Sequence, residues 1–248
     1  MSATVGTYQN DRPSLYNQGL FEQSSVQKHP IGTRRPLEDG RVFVYAKAGS
    51  SNLAAGKLCV APTIVLNHVN QTIGQNASVG DKVVYVNLGA TALTKNQYKD
   101  GFLVIHDANG EGHQYKIRGH NAADASATDV PIYLYDAIRS ALVADTSEYS
   151  LIKHPYDGVV ISATDQADLA VGVPPIDVTA GYYFWIQTWG PCPCLADEAL
   201  SVGRALTIGT GTAGALEVLD AVGEQQVAIA NQAGVDTEYR QVFLTIQP

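Results

Sequence analysis

Few residues in this chain stand in patterns that do chemistry, and each pattern lacks part of what the chemistry needs. Gly209–Gly214 (GTGTAG) matches G-x-G-x-x-G, follows a strand-like run and is trailed by Asp236. A dinucleotide site needs a helix after the glycines, inside a βαβ unit, to hold the pyrophosphate at its N-terminus. Here Ala215–Asp220 (ALEVLD) is too short for that helix and the remaining chain reads as strand, so a flexible glycine turn is expected. No G-K-[ST] is present, which removes a P-loop. Cys192-Pro193-Cys194 with Cys59 supplies three thiols. Structural zinc takes four ligands from paired knuckles, and a C-x-C spacing split by proline is not one; buried free thiols are expected instead. His106, His113 and His120 recur every seven residues near Asp107 and Glu111. Only a helix would align them, and on a hairpin they scatter. There is no G-x-S-x-G elbow, no HExxH and no cysteine-protease context, and spacing alone does not make Asp165 and Asp168 a glycosidase pair. The expectation is a non-enzyme with no catalytic, cofactor-binding or metal-binding residues.

The strongest local feature is aromatic. Tyr182, Tyr183, Phe184 and Trp185 are consecutive, and Trp189 follows. Successive side chains of a strand point to opposite faces, so such a run asks for cover on at least one side. Burial in a core or subunit interface is expected, with a sugar-stacking platform on Trp185 and Trp189 as the alternative. Formal net charge is −8 and charged residues are only 16% of the chain, against a usual ~25%. An acidic surface disfavours direct contact with nucleic acid. The local basic pairs, Arg34 with Arg35 and Lys116 with Arg118, are too sparse for a groove. Low charge also suits surfaces that end up covered by neighbours. No window approaches the ~18 apolar residues of a membrane span, and Met1 to Pro30 contain no apolar secretion-signal core. An odd cysteine count fits a reducing compartment, so synthesis in a cytoplasm is expected and the sequons at Asn70 and Asn76 carry no meaning.

The elements that would carry these residues are strands. Residues 1–38 are rich in Gln, Asn, Ser and Pro, with scattered aromatics Tyr8, Tyr16 and Phe21 and no sustained period. Such a segment builds no core, and its aromatics are anchors for an extended N-terminal arm lying on another surface. From Arg41 the period becomes two, as in Val42, Val44 and Ala46 against Phe43, Tyr45 and Lys47. Short strands with turn signals between them then recur to the end. Among them are Lys82–Leu88, Phe102–His106, His113–Arg118, Val130–Tyr135, Val159–Ala163, Tyr182–Thr188, Ala199–Ile208 and Tyr239–Ile246. Only Asp136–Ala144 could pass for a helix. Ala55–Leu58 (AGKL) resembles Val202–Leu206 (VGRAL), each a turn glycine entering a strand. The pattern predicts an all-β protein: the 1–38 arm, a β domain over 39–155 with hairpin insertions, and a C-terminal β-barrel or β-sandwich domain over 156–248.

Ala180–Pro191 (AGYYFWIQTWGP), the glycine-punctuated run Val202–Gly211 and the closing Glu238–Ile246 (EYRQVFLTI) resemble phrases in structural proteins of tailed bacteriophages. Asp39–Ala46 (DGRVFVYA), Ala54–Leu58 and Asp100–Gly119 are similar to the same family, that of capsid decoration, or cement, proteins and head structural proteins. The resemblance implies a virion protein made in the host cytoplasm and bound on the outer capsid surface. It would bridge subunits of the major capsid protein, with self-association as a homotrimer, and oppose the pressure of packaged DNA. Tyr8, Tyr16, Phe21, Tyr182, Phe184, Trp185 and Trp189 are the residues expected at the capsid or subunit interface. A tail or head-fibre component, or a glycan-binding module on the virion surface, are the alternatives.

Overall fold

The alternation read from Val42 onward does make strands, and the fold is all-β with two domains. The structure, a computed structural model, describes residues 16–248. Its strands are β1 (Arg34–Pro36), β2 (Val42–Ala48), β3 (Cys59–Val60), β4 (Gln71–Thr72), β5 (Val83–Val86), β6 (Phe102–Asp107), β7 (Gln114–His120), β8 (Val130–Leu134), β9 (Glu148–Ile152), β10 (Asp157–Ile161), β11 (Ala170–Gly172), β12 (Tyr183–Leu195), β13 (Ala205–Ile208), β14 (Leu216–Val218), β15 (Ala228–Ala230) and β16 (Tyr239–Thr245). The single helical element among the described residues is a 3₁₀ turn at Leu66–His68. Asp136–Ala144 is not helical. Ile138 and Leu142, whose i, i+4 spacing mimics a helix face, are both buried from an extended segment, where Ile138 N–H bonds Asp81 O and Leu142 N–H bonds Ala77 O.

The chain divides into two units, but not at the expected boundary. One unit runs to Pro62 and resumes at Pro155; the other is Thr63–His154. Residues 39–62 therefore belong with the C-terminal part. The reason is strand pairing: β2 pairs antiparallel with β12 and parallel with β10, while β3 pairs with β10 and β11. The first unit carries a ten-stranded sheet in the order β11-β3-β10-β2-β12-β16-β15-β13-β14, with β1 also on β2. The second carries a six-stranded sheet, β4-β9-β6-β7-β8-β5. Each sheet curls into a half-barrel around its own apolar side chains, Leu103, Ile105, Ile117, Ile132 and Tyr149 in the second unit.

β12 is the spine of the first unit. Tyr183 to Trp189 pair with β2, and Trp189 to Leu195 pair with β16. This explains why two prolines sit in a strand: Pro191 and Pro193 fall where β2 no longer flanks β12, so their missing N–H groups break no ladder.

One turn design recurs eight times among the described residues, and it lies behind the resemblance between Ala55–Leu58 and Val202–Leu206. Each copy is a residue in a reciprocal backbone pair, two linking residues, a residue with positive φ, and then a strand. The copies are paired. Leu53 and Val178 exchange N–H···O bonds of 2.8 and 2.9 Å, and Ala77 with Leu142, Leu93 with Ala123, and Leu200 with Gly234 exchange such pairs at up to 3.1 Å. The fourth residues are Gly56, Gly80, Gly181 and Gly203, but also Asn96 (φ 58°), Ser126 (φ 58°), Asp145 (φ 54°) and Thr237 (φ 62°). Glycine enters that region freely, whereas an L side chain there costs ~1–2 kcal/mol. The residue before a turn often caps the opposite one: Asn52 Oδ1 accepts Ala180 N–H, Asp177 Oδ1 accepts Ala55 N–H, and Asn76 Oδ1 accepts Ala144 N–H.

Residues 16–38 are not an arm reaching to another surface; they cover their own sheet. Leu20 and Ile31 are buried, Ser24 bridges Tyr183, and Arg34–Pro36 pair with Val42–Val44. The physical reason is that β2 and the first half of β12 carry large apolar side chains on both faces. Leu20 and Ile31 of this segment join Val171 and Val178 in the core around those two strands.

Candidate functional site

The aromatic run is resolved by strand geometry into a buried cluster and a surface. Trp185 stands between its register partner Tyr45 and the N-terminal segment and is wholly enclosed. Tyr16 meets its ring edge-on at 5.3 Å, Tyr45 at 5.0 Å, and His29 lies at 5.4 Å. Its indole N–H donates to Gln18 O at 3.1 Å. The Arg35 guanidinium, 1% exposed, lies 4.6 Å from the Tyr16 ring centre and 5.3 Å from that of Trp185, and it also donates to Gln18 O. A buried cation held on two aromatic faces adds attraction of ~2 kcal/mol when desolvated. Burial, and then Arg35, hold the His29 imidazole below its usual pKa, so it packs here as a neutral ring. Tyr45 Oη donates to Gln18 Oε1 at 2.8 Å, and burial first of all raises its pKa.

Of the residues expected at an interface, Phe184 and Trp185 have no exposed surface, so their own chain occupies the contacts assigned to a partner. Tyr16 and Tyr182 are half-buried against the same core. Phe21 is 60% exposed, and Trp189 is half-buried, its ring edge-on to Phe243 at 5.6 Å. Tyr8 lies outside the described residues. The sugar platform on Trp185 is overturned by its burial.

The other patterns are accounted for locally. Cys192 and Cys194 share the inward side of β12 with Leu206 and Val242 nearby, and Cys59 is enclosed on β3. Burial pushes the Cys59 thiol up, and the hydrogen bond that Cys194 shares with Cys192, then burial, push up Cys194; neither of these two is poised as a thiolate. Gly209–Gly214 links β13 to β14, an antiparallel hairpin rather than a βαβ unit. Two of its amides are already taken by carboxylates: Gly211 N–H bonds Asp197 Oδ2 at 2.6 Å, and Thr210 N–H and Oγ1 bond Glu217 Oε2. Carboxylates of the same chain stand where a phosphate would. His106 is exposed, His113 bonds Gly110 O, and His120 is buried, so the three do not converge. No group of three or more metal-ligating side chains occurs among the described residues.

A surface absent from the sequence reading forms where β12 leaves β2. Its outward residues Trp189, Pro191 and Pro193 face the same way as Phe243 and Gln241 of β16 and Ile229 of β15. Ala205, Ile229, Phe243 and Pro191 lie in one cross-strand row over four adjacent strands. None of these residues is charged, and Ile229 is 37% exposed. Period two marks each as outward, but only register brings them into one row.

Comparison of the chain with family models, with curated proteins and with solved structures finds no match.

Proposed function

We propose that the protein is a virion structural component that binds the outer surface of a tailed-phage capsid, as a homo-oligomer, and reinforces the lattice of its major capsid protein. The partner is named by the resemblance of Asp39–Ala46, Ala180–Pro191 and Glu238–Ile246 to decoration proteins. Those phrases are β2, β12 and β16, the adjacent central strands of one sheet. The single observation that supports attachment is the uncharged row Ala205–Ile229–Phe243–Pro191 with Trp189 beside it. Uncharged, partly aromatic sheet surface left in water is what a large, repeated contact buries. Weak individual contacts suffice, because copies on a lattice act together. Attachment through Phe243 and Ile229 replaces attachment through an N-terminal arm, since residues 16–38 are engaged on their own domain.

The test is cosedimentation with purified, expanded capsids stripped of minor proteins. Wild-type protein is expected to pellet with shells in saturable amount, and Phe243→Asp with Ile229→Asp to abolish this while circular dichroism stays unchanged. Failure of the wild type to bind shells, or equal binding by the double variant, overturns the reading. A tail or fibre location would show as label at that position in electron micrographs of whole particles.

A further inference from the structure

Beside β7 and β8 of the six-stranded sheet lies a pocket of about 200 Å³ lined by Lys95, Asn96, Arg118, His120, Asn121 and Tyr133, with Gly119 among them. Lys95 and Asn96 come from the Leu93–Asn96 turn, Arg118 from β7 and Tyr133 from β8. The register of β7 against β8 slips between Ile117 and Gly119. Arg118 is the extra residue of that bulge, a device that re-aims a side chain.

The floor is fixed. A Cβ on Gly119 would stand 2.8 Å from Asn96 Oδ1, so glycine here lets the turn close on the strand. Asn96 Oδ1 accepts the His120 N–H at 3.1 Å. His120 Nε2 accepts Tyr98 N–H at 3.0 Å, which leaves Nδ1 to donate to Asn121 O at 2.9 Å. That is the neutral tautomer, and burial lowers the pKa of the ring further. The imidazole is a wall, not a ligand group. The Lys95 ammonium, the Arg118 guanidinium and the Tyr133 hydroxyl are different: each lacks a hydrogen-bond or ion-pair partner among the described residues, and no carboxylate lines the pocket. In a chain of net charge −8, two unpaired cations beside an aromatic ring and free amide donors form a local exception.

We infer that this pocket binds one acidic sugar residue, a uronate, of a polysaccharide. The carboxylate sits between Arg118 and Lys95, the ring lies on Tyr133, and hydroxyls meet the side-chain amides of Asn96 and Asn121. The size fits: sites for drug-sized ligands run ~300–1,000 Å³, and this one has room for about a single ring. An aspartate or glutamate of a protein partner would use the cations but leave Tyr133 and the amides unmatched. A nucleic acid needs a track of cations along successive phosphates, and only two converge here. The inference is independent of the capsid reading.

The experiment titrates trigalacturonate, maltotriose, inorganic phosphate and a thymidine hexanucleotide into the full chain, followed by amide NMR shifts. Trigalacturonate is expected to move the amides of Asn96, Gly119 and Asn121, with maltotriose at least ~10-fold weaker for want of the charge-assisted bonds. Arg118→Ala should weaken trigalacturonate binding ~10-fold, and Tyr133→Ala should weaken it while Tyr133→Phe keeps most of it. These positions are at the surface, and unchanged spectra away from the pocket confirm folded variants. The inference is overturned if trigalacturonate does not bind at about 10 mM, a concentration that detects a Kd of ~1 mM. It is equally overturned if Arg118→Ala binds as wild type, if phosphate or maltotriose binds as tightly, or if the oligonucleotide binds tighter.

Discussion

Replacing Trp185 with alanine removes the ring on which the N-terminal segment rests. The side chain has no exposed surface, and a buried tryptophan removes ~150–250 Å² from water. At ~25 cal/mol per Å² that is about 4–6 kcal/mol, in line with the ~3–5 kcal/mol observed when large aromatics are cut from cores. The lost indole bond adds little, because Gln18 O keeps its bond from Arg35 at 3.1 Å. Tyr16, His29 and the Arg35 guanidinium each lose one wall, so the cavity cannot collapse without moving residues 16–38. Against a typical domain stability of ~5–15 kcal/mol, the first unit should be close to unfolding. Trp185→Phe keeps most of the packing and should lose only about a third as much. Urea unfolding followed by far-ultraviolet circular dichroism reads both, since the substitution removes one of two tryptophans and spoils fluorescence. A loss below ~1 kcal/mol for alanine, or equal losses for the two variants, would refute the view that residues 16–38 are a structural cover. Deleting residues 1–38 makes the same point: it strips one face of Phe43, Tyr45 and Trp185 and should unfold the first unit rather than release a free arm.

Thr237 and Gly203 hold equivalent places in paired turns, at φ 62° and 84°. Thr237→Gly should stabilise by up to about 1 kcal/mol in thermal melts, and Gly203→Thr should destabilise although nothing lies within 4 Å of its Cβ, because the cost is backbone strain alone. Thr207 is fully buried and its hydroxyl has no hydrogen-bond partner among the described residues; Thr207→Val should raise the unfolding free energy in urea by ~1 kcal/mol, and a fall would mean the hydroxyl is satisfied. Burial, then Lys116, lower the His154 pKa from 6.5 to about 4. Its folded value lies below its unfolded one, so the unfolded chain takes up the proton first and stability falls as pH drops from 6.5 towards 4, by at most about 3.5 kcal/mol at ~1.4 kcal/mol per pKa unit. His154→Gln should flatten that part of the stability–pH curve, and an unchanged slope would show that another group carries it.

Local alternation made most of the strands legible. Val42–Ala48, Phe102–His106 and Val130–Tyr135 needed only period two, and the turn glycines Gly56, Gly80, Gly181 and Gly203 are visible as punctuation. The four other copies of the same turn were hidden, because Asn96, Ser126, Asp145 and Thr237 adopt positive φ only where the reciprocal backbone bonds hold them. Short strands such as Gln71–Thr72 and Ala170–Gly172 have no period of their own and exist because a neighbour offers a ladder.

The sequence by itself determined that this chain is all-β and that its aromatic run needs cover. Tertiary structure alone decided which cover it gets. Alternation says that Trp185 and Phe184 point to opposite faces, but only the pairing of β12 with β2 and β16, many residues away, makes one stretch of that strand core and the next a surface. The same holds for Lys95 and Arg118, two unremarkable surface cations until a turn and a bulge bring them to one pocket. Strand pairing is non-local, and its register depends on side chains that no short window contains.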